Sequence, residues 1–137
     1  MKIIINSKIM DKTIYSIKNI SAMVDQYDAI LLFGQFLDSF YSKKADTDRQ
    51  QLLKNEPIYN PDYKLFLCLL AASAEKLSND YHLPIPEWTE KPEYIFNRIY
   101  YAFDTENPDF QKYLLQTTPY EYKKRNLMLG DNVLSRC

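Results

Sequence analysis

Two glycines, Gly34 and Gly130, are all that the 137 residues contain, where ordinary usage of about 7% would supply roughly ten. Glycine lets a backbone enter left-handed turns and press close to a phosphate. Phosphate-cradling loops and glycine hairpins are therefore largely excluded. Helices joined by proline-marked loops remain, and seven prolines supply the marks. Hydrophobic residues at 46% and charged residues at 26% suit a folded chain with one core of its own. The expectation is an all-α, single-domain bundle of five or six helices over residues 1–137. Residues 2–17, with KIII and TIYSI, carry enough β-branched character to add an N-terminal two-stranded hairpin or arm within residues 1–19.

Periodicity places the helices. From Ile20 to Tyr41, residues of one stripe recur at spacings of three and four through Met23, Val24, Tyr27, Leu31, Gly34 and Leu37. That pattern predicts one continuous helix, its stripe widened by Ile30, Phe33, Phe36 and Phe40. Thr47 and Gln50 have capping-box spacing at the head of DRQQLLKN, a short helix closed by Pro57. Asn60 caps the next helix, with Pro61 in its first position and Asp62 complementing the dipole. Its stretch Leu65–Ala72 is apolar all round, so this helix has to be central. Asn107, Pro108 and Asp109 repeat the same opening. KPEYIFNRIYYAF predicts a short aromatic helix from Pro92, capped by Thr89 or Glu90. Thr118 and Glu121 form a capping box around Pro119 for a last helix reaching Leu129, with Gly130 as terminator.

The stretch YHLPIPEWTEKPEY, residues 81–94, holds the only histidine and the only tryptophan. Pro84 and Pro86 bias it toward extended backbone, so Leu83, Ile85 and Trp88 are expected to fold back over Leu65–Ala72 as a joint. A lone His82 cannot build a structural zinc site, and Cys68, in the most apolar segment, reads as an inert buried thiol. Glu87, Glu90 and Glu93 are interrupted by prolines and read as capping and dipole residues. No catalytic constellation, metal site or cofactor is implied. The Ile3–Ile5 run is too short for a signal peptide, nothing is long enough to span a membrane, and the cysteine usage points to the cytoplasm.

Charge is uneven. Residues 1–20 carry four lysines against Asp11, and residues 86–110 carry six acids against Lys91 and Arg98. Residues 111–137 carry five bases against Glu121 and Asp131. Lys123, Lys124, Arg125 and Arg136 are the candidates for contact with a partner or a phosphate. Arg125 stands apart. With Tyr122 and Leu129 it falls on one side of the last helix, where its planar fork suits a buried carboxylate, and Glu75 on the central helix is the expected partner. Lys123 and Lys124 point elsewhere.

From about residue 49 to the end the chain resembles a poorly characterised bacterial helical family. The motifs are Leu52, Leu53 and Pro57, the pair Ala74-Glu75, the turn Pro86-x-Trp88, and a closing module of Thr118, Pro119, Tyr122, Arg125 and Asn126. The resemblance implies a place in toxin–antitoxin-type or mobile-element operons, beside helix-turn-helix or nucleotidyltransferase-like proteins. The chain departs from a repressor in lacking a DNA-reading helix-turn-helix. The functional expectation is a non-enzymatic module docking on a partner protein encoded nearby, as an antitoxin, immunity or regulatory subunit. The alternative is a nucleic-acid-associated module using the basic C-terminal helix. Either is compatible with a homo-oligomer.

Overall fold

The computed structural model describes residues 14–136 and is mostly helical. Among the described residues six α-helices follow in order: α1 (Ile17–Met23), α2 (Ala29–Ser42), α3 (Asp46–Leu53), α4 (Lys64–Asp80), α5 (Pro108–Thr117) and α6 (Tyr120–Lys123). A two-stranded parallel sheet joins β1 (Tyr100–Tyr101) to β2 (Leu127–Met128), pairing Tyr100 with Leu127 and Tyr101 with Met128. The hairpin or arm expected in residues 1–19 lies largely outside the described residues. The part inside it is helical from Ile17, with Ser16 and Asn19 forming a reciprocal capping box.

Helix α4 is central, as its all-round apolarity requires. One flank contributes Leu67, Leu70, Ala71 and Ala74 to a core with Phe36 and Phe40 of α2 and Ile20 of α1. The other contributes Cys68 and Ala72 to a second cluster with Tyr122 and Leu127. The Asn60 side chain accepts from the Asp62 N–H at 3.0 Å and opens a 3₁₀ turn, Pro61–Tyr63, that runs into α4. The same solution recurs at α5, where Asn107 accepts from the Phe110 N–H at 3.0 Å.

The joint after α4 has a local cause. His82 adopts a left-handed φ of 56°, the Leu83 N–H reaches back to the Ser78 carbonyl at 2.8 Å, and the His82 N–H reaches Asn79. These bonds form the terminator usually built on glycine. Leu83 and Trp88 then turn into the core, and Trp88 Nε1–H donates to the Leu53 carbonyl at 3.0 Å. Ile85, expected beside them, is exposed.

Several local expectations are overturned. The continuous helix over residues 20–41 is two, because the Asp28 carboxylate accepts from the N–H groups of Ile30 and Leu31 and starts α2 afresh. The buried face of α2 is Phe33, Phe36, Leu37 and Phe40, while Tyr27, Leu31 and Tyr41 are exposed. Thr47 caps nothing: α3 begins at Asp46 behind Ala45. The aromatic helix from Pro92 is a single 3₁₀ turn, Pro92–Tyr94, behind Lys91. Thr89 donates to the Pro86 carbonyl and is no cap for it. The last helix ends at Lys123, not Leu129, and its N-cap is Pro119. Thr118 Oγ1 instead donates to the Leu114 carbonyl at 2.6 Å and accepts from the Gly130 N–H at 2.9 Å. It ties α5 to the segment after β2.

Candidate functional site

The basic residues of the C-terminal segment are brought onto the fold. Arg125 is only 1% exposed; its Nη1 donates to Glu75 Oε1 and to the Glu121 carbonyl, both at 2.7 Å, and its Nη2 donates to the Thr89 carbonyl at 2.8 Å. The expected Arg125–Glu75 pair is therefore present. Lys124, expected to point elsewhere, reaches the same carboxylate at 2.8 Å and Glu90 at 3.5 Å. Burial lowers the Lys124 ammonium's pKa, but the hydrogen bond and charge of Glu75 outweigh it, and the net shift is upward. Arg136 forms a two-pronged pair with Asp38 at 2.9 and 3.0 Å, which holds the Asp38 carboxyl below its usual range. Its guanidinium also lies where a side chain on Gly34 would begin, giving that glycine a steric reason. Lys123 is half-buried.

Polar side chains dock this segment on α4. The hydroxyls of Ser73 and Tyr122 lie 2.9 Å apart, and Asn79 Nδ2–H donates to Glu121 at 2.7 Å. Together with the Arg125–Glu75 pair they use three places on one helix. Burial holds the Tyr122 phenol well above its usual pKa. This constellation is structural in character, since every polar group in it faces another.

The residues weighed for chemistry stay apart. Cys68 is buried, its thiol pushed up to about 11 by burial, and His82 lies about 20 Å further along the α4 axis at 1.5 Å per residue. Glu90 turns to Lys124 while Glu87 is exposed. Among the described residues no group of three or more His, Cys, Asp or Glu side chains is placed to hold a metal ion. No helix among them is long and apolar enough to cross a membrane.

A feature that sequence reasoning missed lies on another face. An apolar groove of about 730 Å³ runs between the start of α2, the start of α4 and α5, floored by Tyr100 and Leu127 of the two strands. Phe33, Leu65 and Phe110 stand in its walls, with Asp131 and Asn132 at one edge. Two lining residues project into solvent: Ile30 at 85% exposure and Phe103 at 90%. Phe103 has φ 59° and Asp104 φ 51°, consecutive left-handed residues without glycine, each costing on the order of 1 kcal/mol or more. The backbone is strained where it holds an aromatic ring out of the core. The sequence signal for this surface is the aromatic excess of 15%; Ile30 continues the stripe of Phe33 and Leu37 but stands exposed in the first turn of α2. Comparison of the chain with protein-family models, with curated proteins and with solved structures finds no match.

Proposed function

We propose that the chain is a non-enzymatic protein-binding module, an antitoxin, immunity or regulatory subunit that takes a partner protein encoded nearby into the groove beside Phe103. The observation that carries this reading is the groove of about 730 Å³ with Ile30 and Phe103 standing in solvent at its edge. Contiguous exposed apolar surface of this kind marks interaction sites in folded proteins, and large aromatic anchors carry much of the energy in protein interfaces. The resemblance of residues 49–137 to helical proteins of toxin–antitoxin-type operons supports the same class of role. In this reading the six helices work as one bundle in the cytoplasm. The nucleic-acid alternative gains no comparable support, because Lys124, Arg125 and Arg136 are each turned onto a carboxylate of the chain.

The test is capture from the native cell by the tagged chain and by an Ile30→Glu, Phe103→Glu variant. Both positions are exposed, so the variant should melt like the parent. A partner held in stoichiometric amount by the parent and lost by the variant is the expected result. A partner held equally by both refutes the groove as the docking site.

A further inference from the structure

We infer that the groove's occupant is a basic amphipathic helix of the partner protein, its apolar side seated between α2, α4 and α5 and its lysines or arginines set against carboxylates on the rim. The inference rests on the docking reading above and adds the chemistry of what docks. Charge decides it. Asp131 is in the lining, and Asp104 and Asp109 adjoin the lining residues Phe103 and Phe110. Arg98, 3.6 Å from Asp104, offsets one of these acids and lies over the Tyr100 ring, 5.6 Å from its centre, which leaves Asp109 and Asp131 without a base beside them among the described lining residues. No lysine or arginine lines the groove among the described residues. Lys64 and Lys112 are next in sequence to the lining residues Leu65 and Tyr113 but fall on the far sides of α4 and α5, at 100° per residue from the residues that line it. An apolar slot with an acidic rim disfavours a second copy of this chain, since an isologous contact would bring rim against rim. It disfavours a fatty acid for the same reason.

The form of the occupant follows from what the walls offer. Adding a strand requires a long unpaired sheet edge, and the sheet beside the groove has strands of two residues each. A helix needs no backbone partner from the groove and presents anchors at i, i+3, i+4 and i+7. Phe103, held out by its strained backbone, is placed to close over such anchors.

Two labelled synthetic helices of about 18 residues, roughly five turns, test this on the full-length chain by fluorescence anisotropy. They share one apolar face of leucine and phenylalanine and differ in carrying lysine or glutamate elsewhere. The lysine helix should bind about tenfold more tightly at low salt, the sum expected of a few exposed ion pairs, and the margin should shrink as salt is raised. An Asp104→Asn, Asp109→Asn, Asp131→Asn variant should abolish most of the preference, and Phe103→Ala should weaken the lysine helix about tenfold. Equal binding of the two helices, or preference for the glutamate helix, overturns the inference while leaving the docking reading to its own capture test. Sedimentation showing a dimer that Phe103→Glu dissolves overturns it in favour of a second copy. A photo-reactive residue at position 103 that cross-links within the chain to residues 1–13 overturns it in favour of the chain's own N-terminal segment.

Discussion

Replacing Arg125 by alanine removes the guanidinium from the most heavily bonded charge in the fold. Its three strong contacts run to Glu75, the Glu121 carbonyl and the Thr89 carbonyl, at 2.7 to 2.8 Å. Arginine and Glu75 are both buried, at 1% and 6% exposure, so the substitution leaves a carboxylate and two carbonyls short of a donor in a place water reaches poorly. Breaking a buried pair from one side costs about 3–5 kcal/mol. Lys124, still 2.8 Å from Glu75, keeps the carboxylate from standing alone and pulls the figure toward the lower end. The orphaned carbonyls push it back up by about 1 kcal/mol or more each. For a chain of this size, 3–5 kcal/mol is about 10–20 °C in melting temperature. Thermal melts followed by circular dichroism measure it, with Lys123→Ala as a control expected to stay within about 0.5 kcal/mol of the parent. A melt for Arg125→Ala within about 2 °C of the parent would refute the structural role and return Arg125 to the set of partner or phosphate contacts.

Trp88→Ala should cost about 3–5 kcal/mol, because a buried ring with 6% exposure and its bond to the Leu53 carbonyl are both lost; retention of the parent's urea midpoint would show the ring to be exposed in solution. His82→Gly should stabilise by about 0.5–1 kcal/mol, since φ 56° suits glycine and the ring is exposed; a lowered midpoint would mean that the imidazole itself supports the terminator after α4. Two buried tyrosines set an alkaline limit. Burial raises the phenols of Tyr94 and Tyr122 well above their usual range, with the Glu56 bond adding to Tyr94. Phenols raised in the folded state are fully stabilising below the unfolded value near 10 and lose that contribution as pH climbs past it. Unfolding should therefore set in above pH 10, and phenolate absorbance should rise together with loss of ellipticity. Smooth titration of every tyrosine near 10 with the fold intact would contradict the burial.

The legible parts of this fold are those whose cause is local or very strong. Asn60 and Asn107 could be read as caps because an Asn-Pro-Asp opening acts within one turn. The central place of α4 could be read because Leu65–Ala72 leaves it no polar face. The Arg125–Glu75 pair followed from placing one arginine on the apolar side of a short helix. Failures came where a distant partner outbid a local pattern. Thr118 has the spacing of a capping box, yet its hydroxyl is taken by Leu114 and Gly130. Asn126, at φ 68°, ends the C-terminal helical turns and gives its side chain to the Phe96 carbonyl, so Leu127 could enter a parallel strand that no period-two pattern announced. Asp28 was a readable cap, but the three-and-four spacing runs on across the break and hid it. Beyond the aromatic excess the groove was not legible, because its walls come from segments far apart in sequence and each of them also looks like ordinary core.

Backbone strain separates the groove from the rest of the fold and leads to one more prediction. Among the described residues, four other than glycine have positive φ: His82, Phe103, Asp104 and Asn126. His82 is offset by the two bonds that close α4, and Asn126 by its bond to Phe96. Phe103 has no such offset in its own side chain, which is 90% exposed. A bulky residue in the left-handed region costs on the order of 1 kcal/mol relative to glycine, and exposing the ring recovers nothing from burial. If the strain serves display of the ring to a partner, Phe103→Gly should raise the stability of the isolated chain by about 1 kcal/mol, roughly 3–4 °C, while weakening capture of that partner. Such opposed effects are what a binding residue held at the expense of stability produces. Urea titration and the capture assay measure the two sides independently. A Phe103→Gly chain that is less stable than the parent would show that the ring supports the fold, and the docking role would then lose its main anchor.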